Sequence, residues 1–162
     1  MRAAPRDAGS LELIAIRPAP RLREVVDAGV LDLQQGMIGD RWTAGDKGTA
    51  DQVTVAGARY AALISGGDDP VRWAATGDQL FVDLDLSHAN LPAGARFAVG
   101  DAVLEVTPEP HLGCGKYIRR FGVEAMKLAN TAEGRELRLR GMHARVIEPA
   151  TVRRGDPVRR LG

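Results

Sequence analysis

The tightest constraint on this chain is how often it is interrupted. Glycine and proline, 19 and 9 of 162 residues, cut the apolar runs into short stretches. Leu11 to Ile16 reads as a first strand ended by Pro18-Ala19-Pro20, and Arg23 to Asp27 as a short second one. Gln52 to Val55 is strand-like. Leu80, Val82, Leu84 and Leu86 alternate with Phe81, Asp83 and Asp85, the period of a strand with one face buried. Ala95 to Val99 and Val103 to Thr107 flank Gly100-Asp101 as the arms of a hairpin. Met142, Ala144 and Val146 alternate in the same way, and Val152 and Val158 bracket a turn at Gly155-Asp156. Two stretches predict helix. Ala58 to Ile64 is stopped by Ser65-Gly66-Gly67, and Tyr117 to Leu128 places Tyr117, Phe121, Ala125 and Leu128 at helical spacing before a stop at Asn130. Together these features predict a mainly β fold, closed as a barrel, with a few short helices.

The length fits one domain with a substantial core, and no internal linker is visible. The domain is expected over residues 11–162, after a polar, poorly ordered leader at residues 1–10. With 22 basic and 21 acidic side chains, no global field points to nucleic acid. Arginines do concentrate between Arg135 and Arg160, which reads as a solvated strand surface. That region lacks the interleaved aromatics of a single-strand binder, which argues against a nucleic-acid partner. No apolar run is long enough for a signal core or a membrane span. A single cysteine excludes an internal disulfide and any multi-cysteine metal cluster, and suits a reducing, cytoplasmic setting.

That cysteine stands in Pro110-His111-Leu112-Gly113-Cys114-Gly115-Lys116-Tyr117-Ile118-Arg119-Arg120, between the hairpin and the second helix. Lone cysteines are often buried fillers, but Cys114 has glycine on both sides and lysine next, where a core position would show apolar periodicity. A thiol at a strand-to-helix turn meets unpaired backbone N–H groups, and these with nearby cations favour thiolate. Lys116, Arg119 and Arg120 oppose the helix macrodipole, an arrangement that suits a bound anion. His111 and Cys114 are too few ligands for structural zinc, and a Cys114–His111–acid triad is not decided by local spacing. Gly113-Cys114-Gly115-Lys116 lacks the rest of a phosphate-loop pattern. Arg41 lies in a separate glycine-rich loop that could line a site, and Trp42 and Trp73 read as packing residues.

Several of these segments, in order, resemble the MOSC domains found at the C-terminus of molybdenum cofactor sulfurases. They are Gly39-Asp40-Arg41, Gly77-Asp78-Gln79-Leu80, Leu91-Pro92-Ala93-Gly94 and Gly100-Asp101 through Thr107. The cysteine segment to Phe121-Gly122 and the closing Arg140-Gly141, Ala144-Arg145-Val146 and Gly155-Asp156 continue the likeness. The resemblance implies a MOSC-like (pyruvate-kinase-type) β-barrel that binds molybdenum cofactor (molybdopterin) or carries sulfur. It makes Cys114 the catalytic residue, holding a persulfide or ligating the metal, with Arg41, His111, Lys116, Arg119 and Arg120 around the cofactor. It further implies a sulfur transferase or a component of a molybdenum-cofactor-dependent oxidoreductase, with a cysteine desulfurase or a molybdenum enzyme as sulfur donor or acceptor. The aminotransferase-like domain that binds pyridoxal phosphate in the full sulfurases is missing, so pyridoxal phosphate is not expected in this chain alone. After Arg41 the chain lacks the histidine-glycine continuation of some stand-alone relatives that reduce N-hydroxylated compounds, and that activity is not carried over. The competing reading is a non-catalytic anion- or partner-binding barrel in which the cysteine is structural.

Overall fold

The computed structural model describes residues 3–162. Among the described residues are eleven strands and four helices. β1 (Ala8–Ile16), β2 (Glu24–Val26), β3 (Ala28–Asp32) and β4 (Gly36–Met37) come first, then β5 (Val53–Gly57). Helices α1 (Ala58–Ser65) and α2 (Pro70–Ala74) lead to β6 (Leu80–Asp83), β7 (Arg96–Val99) and β8 (Ala102–Val106). α3 (Gly115–Asn130) and α4 (Ala132–Glu136) precede β9 (Met142–Glu148), β10 (Ala150–Arg153) and β11 (Pro157–Arg160). Seven strands close a barrel in the order β1, β6, β5, β9, β8, β7, β11, and β11 returns to β1 at Ala8–Ser10. Every pairing is antiparallel except β5 with β6, whose crossover runs through α1 and α2. Register shifts at Leu11/Leu13 and Val103/Leu104 bend the strands as closure requires. The mainly β barrel with short helices expected from the sequence is the observed fold. No described helix is long and apolar enough to cross a membrane.

Two expectations about the strands are corrected. Ala8 to Ser10, assigned to the leader, are the first third of β1 and pair with β11; Met1 and Arg2 lie outside the described residues. The strand beginning at Leu80 does not have one dry and one wet face. Phe81 is fully buried, because α1 and α2 cover the outside of the barrel there and Trp73 packs on its ring at 6.2 Å. Inside the barrel, Leu11, Val82, Phe97, Leu104 and Val146 fill the core, each worth about 1.5–3 kcal/mol when taken from water. The turn at Gly155-Asp156 joins strands of two different sheets. β10 pairs with β3 in a small sheet that also holds β4, while β11 belongs to the barrel.

Helix α3 is bent. Gly122 has φ 85° and ψ 165°, a left-handed conformation that only glycine adopts without strain, so two helical pieces meet there. The kink changes which face turns inward. Tyr117 is buried as its spacing predicts, but beyond the kink the buried residue is Ala129, and Leu128 is 46% exposed.

Candidate functional site

Asp78 is the centre of the site. It stands just before β6, is fully buried, and takes three partners. Arg140 Nη1 donates to Oδ2 at 2.6 Å, Thr76 Oγ1 donates to Oδ2 at 2.7 Å, and His111 Nε2 lies 2.6 Å from Oδ1. Burial alone would push this carboxyl up. Arg140 and His111, with the Thr76 hydroxyl, outweigh it and hold Asp78 well below the usual carboxylate range. The barrel brings these groups together because β6 and β9 begin beside the same residue of β5: Val55 pairs with Leu80 and with Met142. Arg140 is two residues before Met142. Gly141 between them has φ 102°, and a Cβ there would sit 2.4 Å from the Val55 carbonyl oxygen and 3.3 Å from the His111 ring. A side chain at that position would clash with the β5 backbone and crowd the His111 ring.

Two further aromatic groups complete the knot. The His111 and His143 rings lie 4.4 Å apart, and the Arg140 guanidinium sits 5.1 Å from the centre of the Tyr117 ring. Burial, with the charge of His111 second, pushes His143 down to about 4, so it is neutral at physiological pH.

Cys114 is the residue immediately before α3 and is exposed. Its thiol makes no capping hydrogen bond, yet the Tyr117 N–H draws it toward thiolate, followed by the Lys116 N–H and the charges of Arg140 and Lys116. These outweigh the opposing effect of partial burial, so the thiol lies below its ordinary range. Because the kink at Gly122 leaves only about two turns ahead of it, the effect is that of local N–H groups more than of a long macrodipole. No hydrogen bond joins His111 to Cys114; His111 is committed to Asp78.

The arginines gather on the other side of the same loop. Arg120 Nη1 donates to the Ala75 carbonyl at 2.7 Å, Arg140 Nη2 to Thr76 at 3.1 Å, and Arg17 Nη1 to Gly77 at 3.2 Å. Arg17 is also held by a bidentate pair with Asp40, 2.9 Å on each arm, and Asp40 is kept low by Arg17 against its own burial. Arg23 joins them. Burial lowers its pKa first, and then the charges of Arg120, Arg17 and Arg41. Its Nε is buried with no protein partner. Asp40 balances one of these four cations, so the group as a whole carries excess positive charge.

The structure thus brings Arg41 and Arg120 together from distant segments. Lys116 lies beside the thiol, His111 turns inward to Asp78, and Arg119 is exposed on α3. Sequence reasoning missed Asp78, Arg140, Arg17 and Arg23. Asp78 carried a signal, a Gly-Asp pair directly before a buried strand. Arg140 was counted in a solvated arginine-rich surface, and only the tertiary structure withdraws it from solvent. Among the described residues no group of three or more His, Cys, Asp or Glu could hold a metal ion, so a metal at Cys114 would bring its other ligands with it.

The family model for the MOSC domain matches residues 52–159. No curated protein sequence matches the chain. Among solved structures, the YuaD protein from Bacillus subtilis is similar over 93% of this chain and 94% of its own, at 18% identity and a TM-score of 0.65. YiiM from Escherichia coli is similar over 94% and 70%, at 18% identity and a TM-score of 0.62. YiiM from Geobacillus stearothermophilus is similar over 95% and 75%, at 14% identity and a TM-score of 0.59. At these identities the likeness concerns the fold.

Proposed function

Because the chain belongs to the MOSC domain family, we propose that it binds molybdenum cofactor, with Cys114 as the thiolate contact to the metal. The observation that carries this reading is an exposed thiol drawn toward thiolate by the Tyr117 and Lys116 N–H groups and by Arg140. The donor set fits the group. Arg23, Arg41 and Arg120 offer charge to an anionic phosphate, and the Arg23 Nε has no protein partner. When bound, the cofactor supplies a redox-active metal that prefers soft sulfur donors. The chain's own part is to draw Cys114 toward thiolate and fix its turn through the Asp78 knot. Arg17 meanwhile holds the glycine-rich loop that carries Arg41.

A second reading is favoured by the open thiol itself, which a protein donor can reach. As a sulfur carrier, the Cys114 thiolate attacks the outer sulfur of a donor persulfide. A new S–S bond forms on Cys114, the donor's S–S bond breaks, and the donor leaves as thiolate. No external oxidant is needed, since the sulfane sulfur keeps its oxidation level. The positive surroundings stabilise the anionic persulfide. The partners of this chemistry are a cysteine desulfurase as donor and a molybdenum enzyme as acceptor, in a reducing compartment such as the cytoplasm. On either reading the chain acts as a sulfur transferase or as a component of a molybdenum-cofactor-dependent oxidoreductase.

Both are tested on the full chain. Cofactor offered from a donor protein should leave bound molybdenum, lost in Cys114→Ser and retained roughly tenfold less well in the Arg41→Glu, Arg120→Glu variant. Incubation with a desulfurase and cysteine should instead add one sulfur atom at Cys114, removable by reductant. Uptake of neither, with Cys114→Ser silent, returns the chain to an anion-binding module.

A further inference from the structure

Behind the cysteine turn lies a cleft of about 490 Å³ that neither reading uses. Its walls include Pro108, Leu112 and Met142, and Arg138 and Arg140 lie at its floor. Arg138 is a buried cation, 8% exposed, held by backbone in a left-handed conformation at φ 47°. Its Nη1 donates to the carbonyls of Leu86 at 3.1 Å and Leu91 at 2.5 Å. These dipoles satisfy the Nη1 hydrogens without cancelling the charge. No described carboxylate lies within ion-pair distance, and the acid it feels, Glu136, is itself exposed. The other carboxylates nearby are engaged elsewhere. Asp78 is shared by Arg140 and His111, and Glu109 is paired with Lys47.

The second polar element is His88, which also lines the cleft. Its Nδ1 lies 3.2 Å from Arg138 Nη2. Arginine is always a donor, so Nδ1 accepts and the imidazole carries its proton on Nε2. Burial first, and then Arg138, lower the pKa of this ring and so favour that neutral tautomer. The cleft therefore offers one buried uncompensated charge at Arg138 and one imidazole N–H donor, with the exposed Arg135 also in its lining, set among apolar walls. A buried cation without a counter-charge in a low-dielectric pocket is costly unless an anion completes it.

We infer that this cleft binds a small organic monocarboxylate with a compact apolar body, its carboxylate toward Arg138 and the His88 Nε2–H. The walls disfavour a purely polar oxyanion as occupant, because phosphate would leave the apolar surface of Pro108, Leu112 and Met142 unused. The site is separate from Cys114, which does not line the cleft. It meets the cysteine site at Arg140, Gly141 and the His111–Leu112 segment, and it goes beyond the sulfur and cofactor chemistry.

The test is a titration of the full-length protein with benzoate, followed by nuclear magnetic resonance, beside the neutral isostere benzyl alcohol and inorganic phosphate. Benzoate should saturate with shifts centred on Met142 and Ala129, and benzyl alcohol should bind at least tenfold more weakly. Arg138→Gln should weaken benzoate roughly tenfold or more, the loss of one charge-assisted contact. Since Arg138 also ties down two carbonyls and that variant could unfold, two exposed positions carry the test independently. Ala93→Trp should fill the mouth and abolish binding, and His88→Phe should weaken it severalfold. Cys114→Ser should bind benzoate unchanged, while its sulfur and metal uptake is lost. Equal affinity for benzyl alcohol, a preference for phosphate, no saturable benzoate binding, or loss of binding in Cys114→Ser would each overturn the assignment.

Discussion

Asp78 and Cys114 are the two poles of one site, joined by Arg140, and they are built in opposite ways. Asp78 is fully buried, and Thr76, His111 and Arg140 close around it. Cys114 is exposed and has glycine on either side. Its shift comes from N–H groups and charges that approach without bonding to it. Both groups are held toward the anion. One is locked by direct partners that leave it nothing further to do, while the other is left open to react. A buried ion cluster of this kind fixes geometry, and the nearby reactive group inherits that geometry without losing access. Arg140 is where the two meet, because its Nη1 neutralises Asp78 while its charge still reaches the thiol.

The comparison breaks most sharply at Asp78. Asp78→Asn leaves Arg140 without its counter-charge and His111 without its carboxylate partner, and breaking a buried pair from one side costs about 3–5 kcal/mol. Cys114→Ser, at an exposed position, should stay within about 0.5 kcal/mol of wild type. Urea unfolding midpoints read both, and a near-neutral Asp78→Asn would mean that the knot is not what holds the site. The next effect is on acid stability. His143 has its pKa depressed in the fold to about 4, so the unfolded chain takes up its proton first as pH falls. Stability should decline between about 6.5 and 4, by at most about 3 kcal/mol, and His143→Phe should flatten that limb. Asp78, also depressed, contributes above its unfolded value of about 3.9 and loses its share only at lower pH. The two limbs are therefore separable by where they fall.

How much of the site could be read from the chain alone was uneven, for physical reasons. Most strands were legible because alternation and glycine turns are local signals, and so was the thiol's position ahead of a helix. Phe81 was misplaced because no local pattern says that α1 and α2 will cover the far face of β6. Leu128 was misplaced because helical spacing assumes an unbroken helix, and Gly122 breaks it. The arginines show the limit most clearly. Arg17, Arg23, Arg41 and Arg120 are far apart in the chain and look like ordinary surface charge until the Ala75–Asp78 loop and Asp40 collect them. Conversely Arg119, adjacent to Arg120 in sequence, was grouped with it on spacing alone.

The smallest effect sharpens the other pole, by asking how Cys114 is tuned without a bonded partner. The alkylation rate measured against pH should give a midpoint below about 8.5, the free-cysteine value. Lys116→Gln removes one charge and should raise that midpoint slightly. Lys116→Pro removes the same charge and the backbone N–H, at a first-turn position where proline is tolerated. It should raise the midpoint further, by the contribution of the N–H alone. Arg119→Gln should leave it in place, since the charges acting most on the thiol are those of Arg140 and Lys116. If Lys116→Gln and Lys116→Pro moved the midpoint equally, the Lys116 N–H would be doing nothing, and the Tyr117 N–H with side-chain charge would account for the shift. If Arg119→Gln moved it as far as Lys116→Gln, the thiol would be responding to the general charge of α3. The difference from Asp78 would then be one of degree, since the local geometry of the turn would no longer be what tunes the thiol.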